Sequence, residues 1–206
     1  MSSKYRLGKD GKTFEKYCGN ADSFVIPEGV TEIGRLAFCG CSSLTSIVLP
    51  EGVTEIGRLA FSECSSLASI VLPKGVKTIG EYAFYGCSSL TSIVLPEGVA
   101  KIDWRAFSEC FSLASIVLPK GVKTIGEYAF YGCSSLTSIV IPEGVKSIGE
   151  YEFYGCSSLT SIVLPKGATI SDGAFEGCDN LRIRAPKRSH AERYARKNNI
   201  RFELME

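Results

Sequence analysis

The stretch LASIVLPKGVKTIGEYAFYGCSS, Leu67 to Ser89, recurs letter for letter at Leu113 to Ser135 and in edited form from Phe24 to about Ile183. Self-similarity at a fixed period of about twenty to fifty residues marks one supersecondary unit stacked on copies of itself. The 206 residues are therefore expected to form a repeat solenoid of about seven 23-residue units, with function confined to the surface the stack presents.

Within a unit, LTSIVLP reads as a short strand, with Leu44, Ile47 and Leu49 inward and Ser46 and Val48 outward, the period-two alternation of a sheet. Pro50, Glu51 and Gly52 then suit a turn, with proline pre-setting φ and glycine closing it. All seven copies keep both, from Pro27 and Gly29 to Pro165 and Gly167. A second extended piece follows, with Val53 and Ile56 inward. After Gly57, the segment RLAFSEC predicts one helical turn that drops Ala60, Phe61 and Cys64 into the core. One unit cannot stand alone. Its large apolar side chains contribute about 2 kcal/mol each, whereas ordering the backbone costs ~1–2 kcal/mol per residue. Neighbouring units must share an interior and the ends must be capped.

Both ends leave the period. At the front, Asp10-Gly11 between two strand-like runs signals a hairpin. At the back, Ser189 to Glu192 reads as a capping box opening a short helix whose Ala191, Tyr194 and Ala195 share a face, followed by a strand over Ile200 to Leu204. The expected division is an N-terminal cap over residues 1–23, the solenoid over 24–183 and a C-terminal cap over 184–206.

Nine cysteines resemble a disulfide framework until their spacing is read. Cys41, Cys64, Cys87, Cys110, Cys133 and Cys156 fall one per unit, with Cys178 one residue early. Coils about 4.8 Å apart would place these thiols side by side on an inward line, where free cysteine acts as a small hydrophobe; disulfides and metal binding are the weaker alternatives. Cys39-Gly40-Cys41 is too short for a structural zinc spacing, so no metal and no cofactor are expected. Cys18 and Cys39 stand outside the column as the more reactive pair.

Pro-x-Gly-Val, then Ile-Gly, then Ala-Phe, then Cys-Ser-Ser-Leu in this register closely resembles the BspA-like leucine-rich repeats, and the ending ERYARKNNIRFEL resembles the C-terminal cap of such proteins. The resemblance covers nearly the whole chain. It implies a right-handed leucine-rich repeat with parallel strands and short helical turns, in a bacterial or protozoan surface or secreted protein engaged in adhesion to host proteins or other cells. The first residues, MSSKYRLGKDGKTF, lack the apolar stretch of a secretory signal. As written the chain is expected to be cytoplasmic, or to begin after a leader.

The residues also bound the chemistry. The formal charge is +1, which gives no global field toward nucleic acid or membranes, and no apolar run approaches a spanning helix. One histidine, His190, cannot assemble a catalytic constellation, and GKDGK lacks the spacing of a phosphate-binding loop; an enzyme is not expected. The tail gathers Arg182, Arg184, Lys187, Arg188, Arg193, Arg196, Lys197 and Arg201 against Glu192, Glu203 and Glu206, but only Tyr194 interleaves it. That pattern reads as a solvated cap face, with an anionic partner as the alternative and no nucleic acid expected. Glu51, Lys74, Glu97, Lys120, Glu143 and Lys166 alternate after the prolines and read as a register and solubility ladder.

Two surfaces remain as candidates. Ser92 and Val94 beside Ser115 and Val117 belong to a flat, uncharged strand face. It is either a plain β surface, a docking face for a protein, a site of self-association or an ice-like lattice. The other is a divergent unit. Residues 90–112 differ from 44–66 at Ala100, Lys101, Asp103, Trp104, Arg105 and Phe111, all of which read as exposed. Stacking places Trp104 between Glu81 and Glu127, and Arg105 between Tyr82 and Tyr128 within reach of cation–π contact. Either these residues drifted and lean on their neighbours, or they form a hot spot with Tyr85, Tyr131 and Tyr154 as rim. Glu152 breaks rank where Ala60, Ala83, Ala106 and Ala129 stand in other units. The sequence is thus read as a non-catalytic protein-binding, adhesin-like repeat protein recognising a protein or cell-surface ligand. The alternatives are a structural or engineered scaffold, or a self-assembling or ice-binding sheet.

Overall fold

The computed structural model describes residues 4–205; residues 1–3 and 206, at the ends of the two expected caps, lie outside the described residues. All but one of the repeat coils open on a three-residue strand such as Ser46–Val48, where Ile47 is buried between exposed Ser46 and Val48. Neighbouring strands run parallel with residue i beside its counterpart one unit on: Ser23 beside Ser46, Ser92 beside Ser115, Ser138 beside Ser161.

The face these strands build is not continuous. It consists of Ser23–Val25 with Ser46–Val48, then Ser92–Val94 with Ser115–Val117, then four strands from Ser138–Val140 to Arg201–Met205. Ser69–Val71, expected as a strand, keeps Ile70 buried and leaves Val71 82% exposed, but lies outside the ladders. The bond that enters each strand reports the spacing. Where strands pair, Thr45, Ala114 and Thr160 donate at 2.7, 2.9 and 2.9 Å to the preceding coil; where they do not, Ala68, Thr91 and Thr137 donate at 3.3, 3.2 and 3.3 Å. The coils stand slightly apart at those places.

A second ladder holds the stack on the other side of the Pro-Gly turn. Two-residue strands at Glu32–Ile33, Glu55–Ile56, Thr78–Ile79, Lys101–Ile102 and Thr124–Ile125 join the N-terminal hairpin in one seven-stranded sheet. The hairpin, Tyr5–Leu7 against Thr13–Tyr17, is antiparallel and turns at Asp10-Gly11 as expected, with Gly11 at φ 67°. After each isoleucine the next residue's N–H donates to the preceding coil: Gly57 to Ile33, Gly80 to Ile56, Asp103 to Ile79 and Gly126 to Ile102, at 2.8–2.9 Å. The sequence fails at the next coil. Gly149 N–H instead donates to the Oε2 of Glu152 at 2.7 Å, and Ser147–Ile148 pairs only with Thr169–Ile170. Glu152, fully buried where other coils carry alanine, thus takes a backbone donor from the ladder and opens a seam. Ile125 is 6% exposed there, whereas Ile33, Ile56, Ile79 and Ile102 are fully buried.

The segment expected as one helical turn is a chain of tight turns. Leu59 and Glu63 both have positive φ (57° and 60°), which an α-helix does not admit. Alternate N–H groups then divide their bonds: Ala60 to Gly57 and Cys64 to Phe61 within the coil, Leu59 to Glu81 and Phe61 to Ala83 in the next. This exchange satisfies the backbone of a buried segment without a helix.

The interior is one cluster. Phe14, Phe38, Phe61, Phe84, Phe107, Phe130, Phe153 and Phe175 stack from hairpin to last coil at 4.9–5.7 Å and 2–15°, closed by Tyr194 edge-on to Phe175. The cysteine column runs beside it, and all nine thiols are free. Cys64 donates to the carbonyl of Phe38 at 3.1 Å, and each later member does the same one coil on. A thiol here is both filler and weak donor. Burial pushes Cys87 and Cys133 up to about 12, which suppresses the thiolate. Cys41, the first of the column, is only half-buried.

The C-terminal cap is the helix His190–Lys197 with Ser189 as N-cap and Ala191, Tyr194 and Ala195 buried. The capping box is displaced by one residue: Ser189 Oγ accepts from Glu192 N–H, but the Glu192 carboxylate accepts from Arg188 N–H rather than from Ser189. The last strand begins at Arg201.

Candidate functional site

The turn edge of the solenoid carries two columns of side chains. Tyr82, Arg105, Tyr128, Tyr151 and Gly173 occupy one register position, and Tyr85, Ser108, Tyr131, Tyr154 and Glu176 another three residues on. The first column lies at positive φ, 52–59° for Tyr82, Arg105, Tyr128 and Tyr151 and 78° for Gly173. A left-handed residue other than glycine costs ~1–2 kcal/mol, so packing must hold these side chains in place.

Trp104 and Arg105 join this edge but not in the arrangement the sequence suggests. Trp104 packs edge-on against Tyr82 at 4.8 Å and approaches Tyr128 at 6.3 Å. The guanidinium of Arg105 lies 4.4 Å from the centroid of Tyr128, 5.2 Å from Trp104 and 5.6 Å from Tyr131. Arg105 is therefore not held between Tyr82 and Tyr128: Trp104 has taken the Tyr82 face, and the second tyrosine contact is Tyr131. Arg105 Nε is buried without a hydrogen-bond partner, so the ring faces are its compensation.

Exposure also divides the divergent unit. Ala100, Lys101 and Phe111 are exposed, but Asp103, Trp104 and Arg105 are half-buried. Lys101 Nζ pairs with Asp103 Oδ2 at 2.6 Å, and Asp103 Oδ1 accepts from Trp104 N–H. Asp103 stands where five other coils have glycine and the last has Ser171, and its carboxylate is engaged within its own coil. Phe111 is 47% exposed and lies beside Gly132, where a side chain on that glycine would come 3.7 Å from its ring. Among the described residues no ring contact links it to Trp104. Ser92, Val94, Ser115 and Val117 lie on the strand face, not on this edge, with Val94 and Val117 exposed. The structure thus gathers Lys101, Asp103, Trp104, Arg105, Tyr82 and Tyr128, and leaves the other five elsewhere.

Sequence reasoning missed Tyr151 and Glu176. In most of the chain, units ending in Tyr-Gly-Cys alternate with units ending in Ser-Glu-Cys, so that Tyr85 lies between buried Ser62 and Ser108. The alternation stops at Tyr131 and Tyr154, and two tyrosine units meet. Tyr131 stacks on Tyr154 at 5.0 Å and 6°, Tyr128 meets Tyr151 at 5.5 Å, and Tyr151 stands edge-on to Tyr154 at 5.6 Å. With Glu176 they line an open depression of about 350 Å³. The two consecutive GEYxFYGC units were the signal. A larger cleft of about 540 Å³ lies where the last coil meets the cap, lined by residues such as Phe175, Tyr194 and Ile200, and no residue of the divergent unit reaches it.

Among the described residues no cluster of three or more His, Cys, Asp or Glu side chains is placed to hold a metal ion, and no helix is long and apolar enough to cross a membrane. His190 is half-buried at the start of the cap helix. The basic tail is partly neutralised in place: Arg182 and Arg184 pair with Glu203, Arg196 with Glu192 and Lys197 with Asp172. The six alternating charges after the prolines are all exposed.

Comparison with known proteins agrees with the repeat reading. A family model described as the BspA type leucine rich repeat region matches six copies over residues 10–135 and 101–191. A T. pallidum leucine rich repeat protein is 37% identical over 97% of this chain and 94% of its own, with a TM-score of 0.83. The pneumococcal vaccine antigen PcpA shares the fold at 21% identity and a TM-score of 0.60, with this chain covered to 97% and that one to 46%. No curated protein matches. The repeat register, the shared interior and these likenesses together place the chain in the BspA-type leucine-rich repeat family.

Proposed function

We propose that this protein is a non-catalytic, adhesin-like binding scaffold that recognises a protein or cell-surface ligand through its aromatic turn edge. The supporting observation is the concentration of Tyr82, Trp104, Tyr128, Tyr131, Tyr151 and Tyr154 along one edge, with Tyr82, Tyr128 and Tyr151 at left-handed positions and Trp104 in the divergent unit. Leu36 and Leu59 occupy the same register as Tyr82, so the coil closes without an aromatic ring. Aromatic and arginine side chains dominate binding energy at interfaces, and a rigid array at fixed spacing adds several weak contacts to one anchor. Membrane insertion and nucleic acid have no part in this reading.

Reverting Trp104→Arg and Phe111→Ser restores the residues of the 44–66 unit at those positions. The double variant is expected to keep its circular dichroism spectrum and to lose capture of extracellular-matrix proteins or cell-surface extract by about tenfold or more, the weight of one aromatic anchor. Full capture by a folded double variant would move the site elsewhere. The strand face then becomes the next candidate, including its use in self-association, because Val25, Val48, Val71, Val94, Val117 and Val140 form an exposed apolar column.

A further inference from the structure

The tyrosine depression has a built-in precedent for what it can hold. On the coil before Tyr128, the chain's own Arg105 lays its guanidinium on Tyr128 and Tyr131. On the coil after Tyr154, the two register positions are filled by Gly173 and Glu176. Gly173 keeps the ring of Tyr151 uncovered: a Cβ there would come 3.0 Å from Tyr151 Cε1. Glu176 puts an exposed carboxylate at the register held by Tyr131 and Tyr154 in the two preceding coils. Tyr151's hydroxyl is held above its ordinary pKa first by Glu150, then by burial and Glu176, so the field at this end of the quartet is negative. The quartet is thus flanked by a cation on one side and offers ring faces plus a carboxylate on the other.

We infer that the depression lined by Tyr128, Tyr131, Tyr151, Tyr154 and Glu176 receives an arginine side chain of a protein partner, stacked on Tyr151 and Tyr154 and paired with Glu176. The guanidinium is favoured over an ammonium because it is planar, stacks on aromatic faces and pairs with a carboxylate in two-pronged fashion. This assignment rests on the protein-binding reading above and gives that reading a partner chemistry.

The test uses the full chain and two monovalent probes, N-acetyl-L-arginine methylamide and its lysine counterpart, followed by the tyrosine ring resonances in carbon-edited NMR at low ionic strength. The arginine probe is expected to shift the Tyr151 and Tyr154 rings saturably in the millimolar range, and the lysine probe to bind about threefold more weakly or less. Glu176→Gln is expected to weaken the arginine probe about threefold or more. Tyr154→Ser, which installs the residue found at that register in Ser62 and Ser108, should do at least as much, and Tyr151→Leu, which copies Leu59, serves if the first variant does not fold. Absent shifts, shifts unaffected by these variants, or an equal response to lysine would each overturn the arginine assignment. The two readings fail separately. A silent probe with capture still sensitive to Trp104→Arg overturns only the arginine site; a responsive probe with capture insensitive to that change overturns only the Trp104 edge.

Discussion

Glu152→Ala is expected to stabilise the protein, and more strongly as pH rises. The carboxyl is fully buried, its Oε1 has no partner, and its Oε2 takes the Gly149 N–H that would otherwise continue the ladder to Ile125. Burial holds its pKa well above the ordinary 4.5, with the Gly149 bond opposing and Glu127 adding to the rise. Below about pH 4.5 both folded and unfolded states carry the proton, and the group costs nothing by titration. Above it the unfolded chain releases its proton while the folded chain retains it, so stability falls with pH until the raised folded value is passed. Alanine, the residue of Ala60, Ala83, Ala106 and Ala129, removes that loss and frees Gly149 to rejoin Ile125. The gain near neutral pH is about 2–3 kcal/mol, the penalty for an unsatisfied buried polar group, or roughly 4–12 °C in Tm. Unfolding of both proteins at pH 4.5 and pH 8 checks it: the difference should grow with pH. A variant less stable than the parent at both values would mean the carboxyl is integral to the coil.

Gly126→Ala should be the most damaging single methyl in the chain. At Gly57, Gly80 and Gly126, each following a ladder isoleucine, two coils touch backbone to backbone, and a Cβ at Gly126 would sit 2.5 Å from Trp104 N and 2.7 Å from the carbonyl carbon of Asp103. Neither atom can rotate away, so the coils must part or the chain must refold locally. The expected loss is about 3 kcal/mol or more, roughly 6 °C or more in Tm. Gly167→Ala is the control, because a Cβ there meets nothing within 4 Å. It should be neutral or stabilising by up to about 1 kcal/mol through the unfolded state. Equal effects of the two substitutions in thermal melts would show that close coil contact is not what the glycine column provides.

The features that were legible in the sequence are those that repetition enforces. A residue buried in every coil must recur in every coil, so the isoleucines, the phenylalanines, the cysteine column and the turn prolines could be placed before any coordinates. The Asp10-Gly11 hairpin and the Ser189 helix start were legible because local turn and capping chemistry decides them. What could not be read depended on side chains choosing among neighbours. Arg105 turned to Tyr128 and Tyr131 because Trp104 occupied Tyr82 first. The tight turns replaced a helical turn because Leu59 and Glu63 adopt left-handed backbone that their identities do not announce. Glu152 was conspicuous in the sequence, but its partner is a backbone N–H, which no side-chain pattern reveals. The pause at Ser69–Val71 rests on a few tenths of an ångström in coil spacing, and its sequence is identical to that of the paired Ser115–Val117.

Successive coils share one dry interior, which leaves recognition to the outside. Counting reactive thiols tests this most directly. In native buffer a maleimide should modify Cys18, Cys39 and the half-buried Cys41, while Cys64, Cys87, Cys110, Cys133 and Cys156 react roughly a hundredfold more slowly or less and become available only on unfolding. Reaction of these five fully buried thiols at the rate of Cys18, without denaturant, would contradict the shared interior and the binding edge built upon it.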